Sequence, residues 1–264
     1  MKRFIHDVKK YRSYVIYAGQ SELKAEVANS YLNWLWWIIE PICFMFIYSF
    51  VYGVVFGSKI DHVQVFIYIG ITLWEFFNKM LKSSVQLVRS NKSIVSKVYI
   101  PKYMLIFVKM YVNGFKMMIS LILLFFLLLI SRVPFTIYMI WMIPILVTEY
   151  VVTFAVCTFL LHFGVYVDDL SNVVTIVTRM LFYVTGVFYD LDTRLAKTLG
   201  ERAAVIIGNV NPMASFIISA RNVLLYETYP NIKFLAIWFV IGVVFSALGI
   251  RLIYKNENSY VKVI

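Results

Sequence analysis

Apolar residues follow one another for about twenty positions at a time in several places along the chain, and the polar residues gather between them. An α-helix rises 1.5 Å per residue, so about 20 apolar residues cross a hydrocarbon core roughly 30 Å thick. The pattern predicts six such spans: residues 35–56, 63–84, 103–131, 135–163, 173–189 and 232–254. The second is punctuated by Glu75, Lys79 and Lys82 in its latter half. The connection 190–230 is too long for a tight turn. It carries two apolar pieces, 203–210 and 213–218, that are too short to span and read as a re-entrant hairpin on the outer side.

Ahead of the first span the period changes. Phe4, Ile5, Val8, Tyr11, Val15 and Ile16 alternate with Lys9, Lys10, Arg12, Glu22, Lys24 and Glu26. This predicts an amphipathic helix over 4–30, lying in the membrane interface. Residues 1–34 form this leading segment and 35–264 the transmembrane domain. Trp34, Trp36 and Trp37 sit where headgroups meet hydrocarbon, the depth that indole rings prefer. Pro41 has no N–H for the carbonyl of Trp37, which predicts a kink there or a helix that restarts at that point.

Composition places this pattern in lipid. The 264 residues are 61% hydrophobic and 15% charged, against roughly 45–50% and 25% in soluble domains. The formal net charge is +11, and its distribution gives an orientation. Six Lys and Arg precede Trp34, six lie between 78 and 103, and three follow from Arg251. The opposite side carries only Lys59, Arg132, Arg194, Lys197, Arg202 and Arg221. Both termini are therefore expected in the cytoplasm, with 190–230 facing outward. The first thirty residues lack the apolar core and small-residue site of a cleaved leader, so the N-terminus is expected to be retained. No basic tail suggests nucleic acid, and Cys43 and Cys157, each inside an apolar run, read as buried thiols.

Candidate chemistry is sparse. No phosphate-cradling G-x-x-x-x-G-K-[ST], H-E-x-x-H or G-x-S-x-G occurs, and His6, His62 and His162 are scattered, so neither a catalytic set nor a metal site is expected. Ionisable residues inside spans are costly in lipid and point to function. Here they are Glu75, Lys79, Lys109, Lys116, Glu149 and Arg179. Lys109 and Lys116 share a face; Lys109 is placed to snorkel, whereas Lys116 lies deeper, and Glu149 and Arg179 call for partners on other helices. Tyr48, Tyr52, Phe182, Tyr183, Phe188 and Tyr189 include rings suited to a sugar-stacking pore wall, provided that they cluster. Between the second and third spans, "RSNKSIVSKVYIPKY" offers a short helix over 92–98, bounded by Pro101, with Ile94, Val95 and Val98 apolar amid Lys92 and Lys97. Such a stripe suits docking into a partner's groove.

Four stretches in this order, "SELKAEVANSYLNWLWWIIEPI", "NKSIVSKVYIPKY", "DDLSNVVTIVTRMLFYVTGVFYDL" and "NPMASFIISARNVLL", resemble the membrane subunit of type-2 ABC exporters of polysaccharides, the O-antigen, capsule and wall teichoic acid permeases. Asn33, Val27–Ala28 and Asp168 depart from that family's usual glycine, tyrosine-basic pair and arginine. The resemblance implies an all-α polytopic protein of the bacterial cytoplasmic membrane: six transmembrane helices, an N-terminal interface helix, a cytoplasmic coupling helix and re-entrant outer helices. It implies a homodimer with a separate ATP-binding subunit that holds ATP and Mg, and no cofactor on this chain. The coupling helix would comprise Asn91, Lys92, Ile94, Val95, Lys97 and Val98. An undecaprenyl-linked polysaccharide would pass between the subunits, along a channel or interface for which Trp34, Trp37, Tyr48, Tyr52, Lys116, Glu149, Arg179 and Tyr183 are the candidates. Two alternatives remain open: a type-2 ABC exporter of lipids or small molecules, and a membrane enzyme acting on lipid-linked sugars through Asp168 and Asp169.

Overall fold

In the computed structural model, which describes residues 2–28, 31–55, 57 and 60–263, the chain is built of helices, with no strand among the described residues. The leading segment is two helices, α1 (Lys2–Lys10) and α2 (Arg12–Val27), broken at Tyr11; residues 29 and 30 of the expected helix lie outside the described residues. The break follows from two docking partners. Asp7 of α1 accepts from the phenols of Tyr103 and Tyr254, at 2.9 and 2.8 Å, whereas α2 lies along the third long helix through its own carboxylates.

A 3-10 turn, Asn33–Leu35, leads into α3 (Trp36–Phe50), which continues as a π-helical turn, Val51–Val55. α3 restarts at Trp36, and Pro41 lies inside it as the sixth residue, where it offers no N–H to the Trp37 carbonyl. The expected end of this span, Phe56, lies outside the described residues. Next come α4 (Val63–Val85), the short α5 (Leu87–Ser90) and α6 (Lys92–Val95), and α7 (Tyr103–Ile130). The helix expected over 92–98 ends early: the Ser96 hydroxyl folds back on the Lys92 carbonyl at 2.7 Å, and the chain turns out toward Pro101. A second 3-10 turn, Ile137–Trp141, opens α8 (Met142–Tyr166), followed by α9 (Leu170–Val184).

Three helices fill the long connection, α10 (Leu191–Leu199), α11 (Glu201–Val210) and α12 (Pro212–Leu224), before α13 (Ile232–Val263) ends the chain. The axes of α11 and α12 are bent by 114°, a break that a re-entrant loop and a bent span have in common. Asn211 makes the corner: its side chain accepts from the Met213 N–H at 3.1 Å, and Pro212 takes the first helical position, which needs no donor.

Among the described residues, four helices are long and apolar enough to cross a bilayer: Trp36–Val54, Tyr103–Ile130, Ile137–Tyr166 and Ile232–Tyr260; the bent pair would make a fifth if it crossed. α4 and α9, counted as spans from the sequence pattern, do not meet that measure. α4 has the length, 23 residues, but carries Glu75, Lys79 and Lys82; α9 has 15 residues. Lipid is nevertheless the solvent that the outer surface fits, because Phe46, Ile47 and Phe50 of α3, Ile176 and Met180 of α9, and Val240, Val244 and Leu248 of α13 all point outward.

The core is α4 with α8. Nearly every residue of α4 from Val65 to Leu73 is inaccessible to solvent, and α8 packs between α4 and α13. Close approach depends on glycine at two crossings. A Cβ on Gly164 would collide with the Val85 backbone, and one on Gly70 with the Val187 carbonyl and the Arg221 guanidinium. The two chain ends meet at one end of the bundle, where Arg3 pairs with Glu257 at 3.1 Å and donates to the Tyr99 phenol at 2.6 Å. Gly164→Leu is expected to lower the thermal unfolding midpoint in detergent through an overpacking cost of about 1–3 kcal/mol. Gly53→Ala, whose methyl would meet nothing within 4 Å, should leave it unchanged; equal midpoints for the two variants would refute the crossing.

Candidate functional site

α3 and α9 stand on either side of α4 and enclose a groove of about 390 Å³. The floor is Ile71, Trp74, Glu75, Asn78 and Lys82; Phe44 and Tyr48 form one wall, and Thr178, Arg179, Phe182 and Tyr183 the other. A second, narrower hollow shares Phe44, Ile71 and Glu75 with it and continues toward α7, lined by Trp37, Glu40, Lys79, Asn113 and Lys116.

Aromatic rings in the groove wall and just behind it form one cluster. Phe44 stacks on Tyr48 with centroids 6.1 Å apart, and Tyr48 stacks on Phe188 at 5.4 Å with the planes 8° from parallel. Phe188 also meets Tyr52 at 5.1 Å and Phe182 at 5.5 Å, and Tyr52 stacks on Tyr189. Phe182 in turn touches Trp74 at 5.6 Å and Tyr183 at 5.5 Å. The condition set on these rings, that they gather, is met. Helix period alone does not bring them together, because Phe188 and Tyr189 lie beyond the end of α9, in an irregular stretch.

Arg221 of α12 holds that stretch. Its guanidinium donates to the carbonyls of Gly186 at 2.8 Å, Val187 at 2.6 Å and Phe66 at 3.2 Å, and lies over the Phe66 ring at 3.4 Å. Gly186 has φ +72°, a conformation open to glycine at little cost, which turns the chain back after Thr185. Asn211, at the hairpin corner, donates to the Thr185 hydroxyl at 2.9 Å. The hairpin α11–α12 thus fixes the aromatic end of the groove.

Charge lies at the other end. Lys79 pairs with Glu75 at 3.1 Å and with Glu40 of α3 at 3.5 Å. Lys116 pairs with Glu26 of α2 and sits 5.6 Å from the Trp37 ring; Lys109 pairs with Glu22 one turn earlier in α2. Lys109, read as snorkelling, is therefore neutralised by the leading helix. Arg179 and Lys82, both exposed, have no ion-pair or hydrogen-bond partner among the described residues. The groove so combines stacked rings, phenol hydroxyls and two free cations, a set able to hold sugar faces and an anionic group together.

The candidates divide accordingly. Tyr48, Arg179 and Tyr183 line the groove, Tyr52 backs its aromatic end, and Trp37 and Lys116 line the adjoining hollow. Trp34 is exposed in the turn before α3, and Glu149 is wholly buried in α8; neither reaches the groove. Neither carboxylate oxygen of Glu149 has a hydrogen-bond partner among the described residues. Glu40, Asn78, Lys82 and Arg221 went unnoticed in the sequence as site residues. The i, i+4 spacing of Glu75 and Lys79 was the available signal for the ion pair.

The expected docking segment lies at the end of the bundle that holds both chain ends. Ile94 is 39% exposed and Val98 is 55% exposed, while Val95, expected on the same stripe, is 6% exposed and faces the core. A four-residue helix presents Ile94 and Val95 about 100° apart, which separates them. Asn91 closes the preceding turn through the Leu87 carbonyl at 2.8 Å, and Lys92 and Lys97 flank the exposed pair. Close by, burial pulls the Lys102 ammonium below its ordinary value, with Glu257 opposing the shift. Asp168, one of the two carboxylates considered for an enzyme, is ion-paired with Arg89.

Removing the clamp on the aromatic stretch is expected to free it. Each hydrogen bond from a charged donor contributes about 1.5–3 kcal/mol. Arg221→Met should therefore raise maleimide labelling of Phe188→Cys, in a Cys43→Ser background, by tenfold or more. Unchanged labelling would show that Arg221 does not hold this stretch.

No protein-family model matches the chain. Curated relatives do. The O-antigen export system permease protein RfbA of Klebsiella pneumoniae is 23% identical over 245 residues, 92% of each chain, and a second from the same organism is 22% identical over 244 residues. The corresponding protein of Myxococcus xanthus is 24% identical over 235 residues, 88% of this chain and 87% of its own. The chain is thus similar, along about nine-tenths of its length, to O-antigen export permeases, members of the polysaccharide-exporter permease family that its motifs resemble.

Proposed function

We propose that this chain is the permease subunit of an ATP-driven exporter that moves a lipid-linked cell-surface polysaccharide across the cytoplasmic membrane of a bacterium. The observation that carries the reading is the similarity to O-antigen export permeases along about nine-tenths of the chain. The groove supports it, since rings and phenols suit a sugar chain and the free cations Arg179 and Lys82 suit the phosphates of a lipid carrier such as undecaprenyl pyrophosphate.

In this reading α3, α4, α7, α8, α9 and α13 are the six crossings, and both termini are cytoplasmic. Two copies face each other across their grooves, closing a passage that one copy leaves open. A separate ATP-binding subunit, with its ATP and Mg, docks on Ile94 and Val98 between Lys92 and Lys97, with Asn91 and the inward-facing Val95 holding the segment to the bundle. Nucleotide-driven movement there reaches α4 through α5 and α7 through the 96–102 connection, and so shifts the groove walls. Wall teichoic acid and an O-antigen-like chain both fit this chemistry.

The test is co-purification of the tagged chain with its ATPase, followed by export assayed in cells. Ile94→Asp is expected to abolish export and ATPase stimulation while the protein stays in the membrane at its normal level. Tyr48→Ala with Phe188→Ala should cut export at least tenfold with the ATPase still bound. Normal export by Ile94→Asp would remove the docking assignment, and normal export by the aromatic variant would remove the groove as the path.

A further inference from the structure

A larger cavity shares no residue with the groove. It is a cleft of about 660 Å³ with Phe154 of α8 beside Phe107 of α7 and Ala247 and Ile250 of α13; Arg3 of α1 and Arg251 close one end. The lining positions on α13 run from Val243 to Tyr254. That is about 16 Å of helix, close to half of a hydrocarbon core of roughly 30 Å, so the cleft is one leaflet deep. Of its neutral hydroxyls, Ser246 is directed to the Val151 carbonyl at 3.5 Å and the Tyr254 phenol to Asp7 at 2.8 Å, with Tyr150 the third, so the walls are mainly apolar.

The two arginines at the mouth differ. Arg3 is engaged on all sides, by Glu257 at 3.1 Å, Asp7 at 3.8 Å, the Tyr99 phenol and the Tyr254 ring at 4.2 Å. Arg251 is exposed and has no hydrogen bond or ion pair among the described residues, and Lys255, one turn on along the same face, is likewise exposed and unpaired. The acids nearest the mouth, Asp7 and Glu257, are committed to Arg3 and to the phenols of Tyr99, Tyr103 and Tyr254. Unpaired positive charge therefore stands above an apolar slot of one acyl chain's depth.

We infer that this cleft is a binding site for an anionic phospholipid, with an acyl chain between α7 and α13 and the headgroup phosphate on Arg251 and Lys255. The charge complementarity selects the occupant: a zwitterionic lipid would fill the slot but leave the two cations with no net counter-charge, whereas an anionic headgroup supplies it. Arg3 sits between slot and chain end, so an occupant would also brace the junction of α1 with α13.

The full-length protein, delipidated in detergent and offered equal phosphatidylglycerol and phosphatidylcholine, tests this by native mass spectrometry. Wild type should retain phosphatidylglycerol in preference. Arg251→Gln with Lys255→Gln should reduce that preference roughly fivefold per removed cation. Ala247→Trp should reduce retention of both lipids by filling the slot, and thermal midpoints close to wild type would show that the variants are folded. Equal retention of the two lipids by wild type, or undiminished preference in the double variant, would overturn the assignment. A shift from dimer to monomer in Ala247→Trp would also overturn it, by showing that a second copy covers the cleft.

Discussion

The burial of α4 governs the placement of the other helices. Glu75, Lys79 and Lys82 on one helix are costly in an apolar surrounding without partners, and α4 is sheathed by protein over most of its length, with Lys79 paired to Glu75 and Glu40 and Lys82 open to the groove. α8 covers one flank, where Gly164 allows the backbones to touch at Val85, and α3 contributes Glu40 to the Lys79 pair. The unsheathed remainder of α4 is the floor of the groove. The polar residues that make α4 a poor solitary span are the same ones that give the site its charge.

A second constraint is that buried backbone released from helix must have its polar groups satisfied by protein. The chain leaves helix after Val184 and re-forms it at Leu191, and Arg221 supplies donors to the carbonyls released between them. A guanidinium suits this task because its donors are held in a fixed planar fork, and one side chain can serve several acceptors at once. The hairpin that carries Arg221 is itself shaped by Asn211 and Pro212. Local capping chemistry at the corner thus reaches the stacked rings of Tyr48 and Phe188 through a single arginine.

The two cavities divide the labour of the membrane surface. The groove is aromatic and charged, lies against the most buried helix, and is bounded by α3 and α9, which are thinly packed elsewhere. The cleft beside α13 is apolar except at its mouth and lies where the leading helix meets the chain end. Between them, α2 neutralises Lys109 and Lys116 through Glu22 and Glu26, which makes the leading helix an element of the bundle.

The long apolar helices and the two apolar pieces 203–210 and 213–218 of the long connection were legible in the sequence, because hydropathy and helix length act locally; the helix Leu191–Leu199 and the corner at Asn211 were not read from it. The aromatic residues of the groove were legible as a set, though the grouping was not, since Tyr48, Phe182 and Phe188 lie on three separate segments. Glu149 and Trp34 show the converse: their residue types and positions marked them for function, and packing placed one inside α8's contacts and the other on the surface. By itself the sequence determined the long apolar segments and that the chain belongs in lipid, because both follow from the free energy of placing each residue in hydrocarbon or water; the helix ends at Val95 and Val184 and the helix Leu191–Leu199 did not follow from it. Only the tertiary structure decided which charges meet, which rings stack and where Arg221 reaches, because those depend on how helices far apart in sequence approach one another.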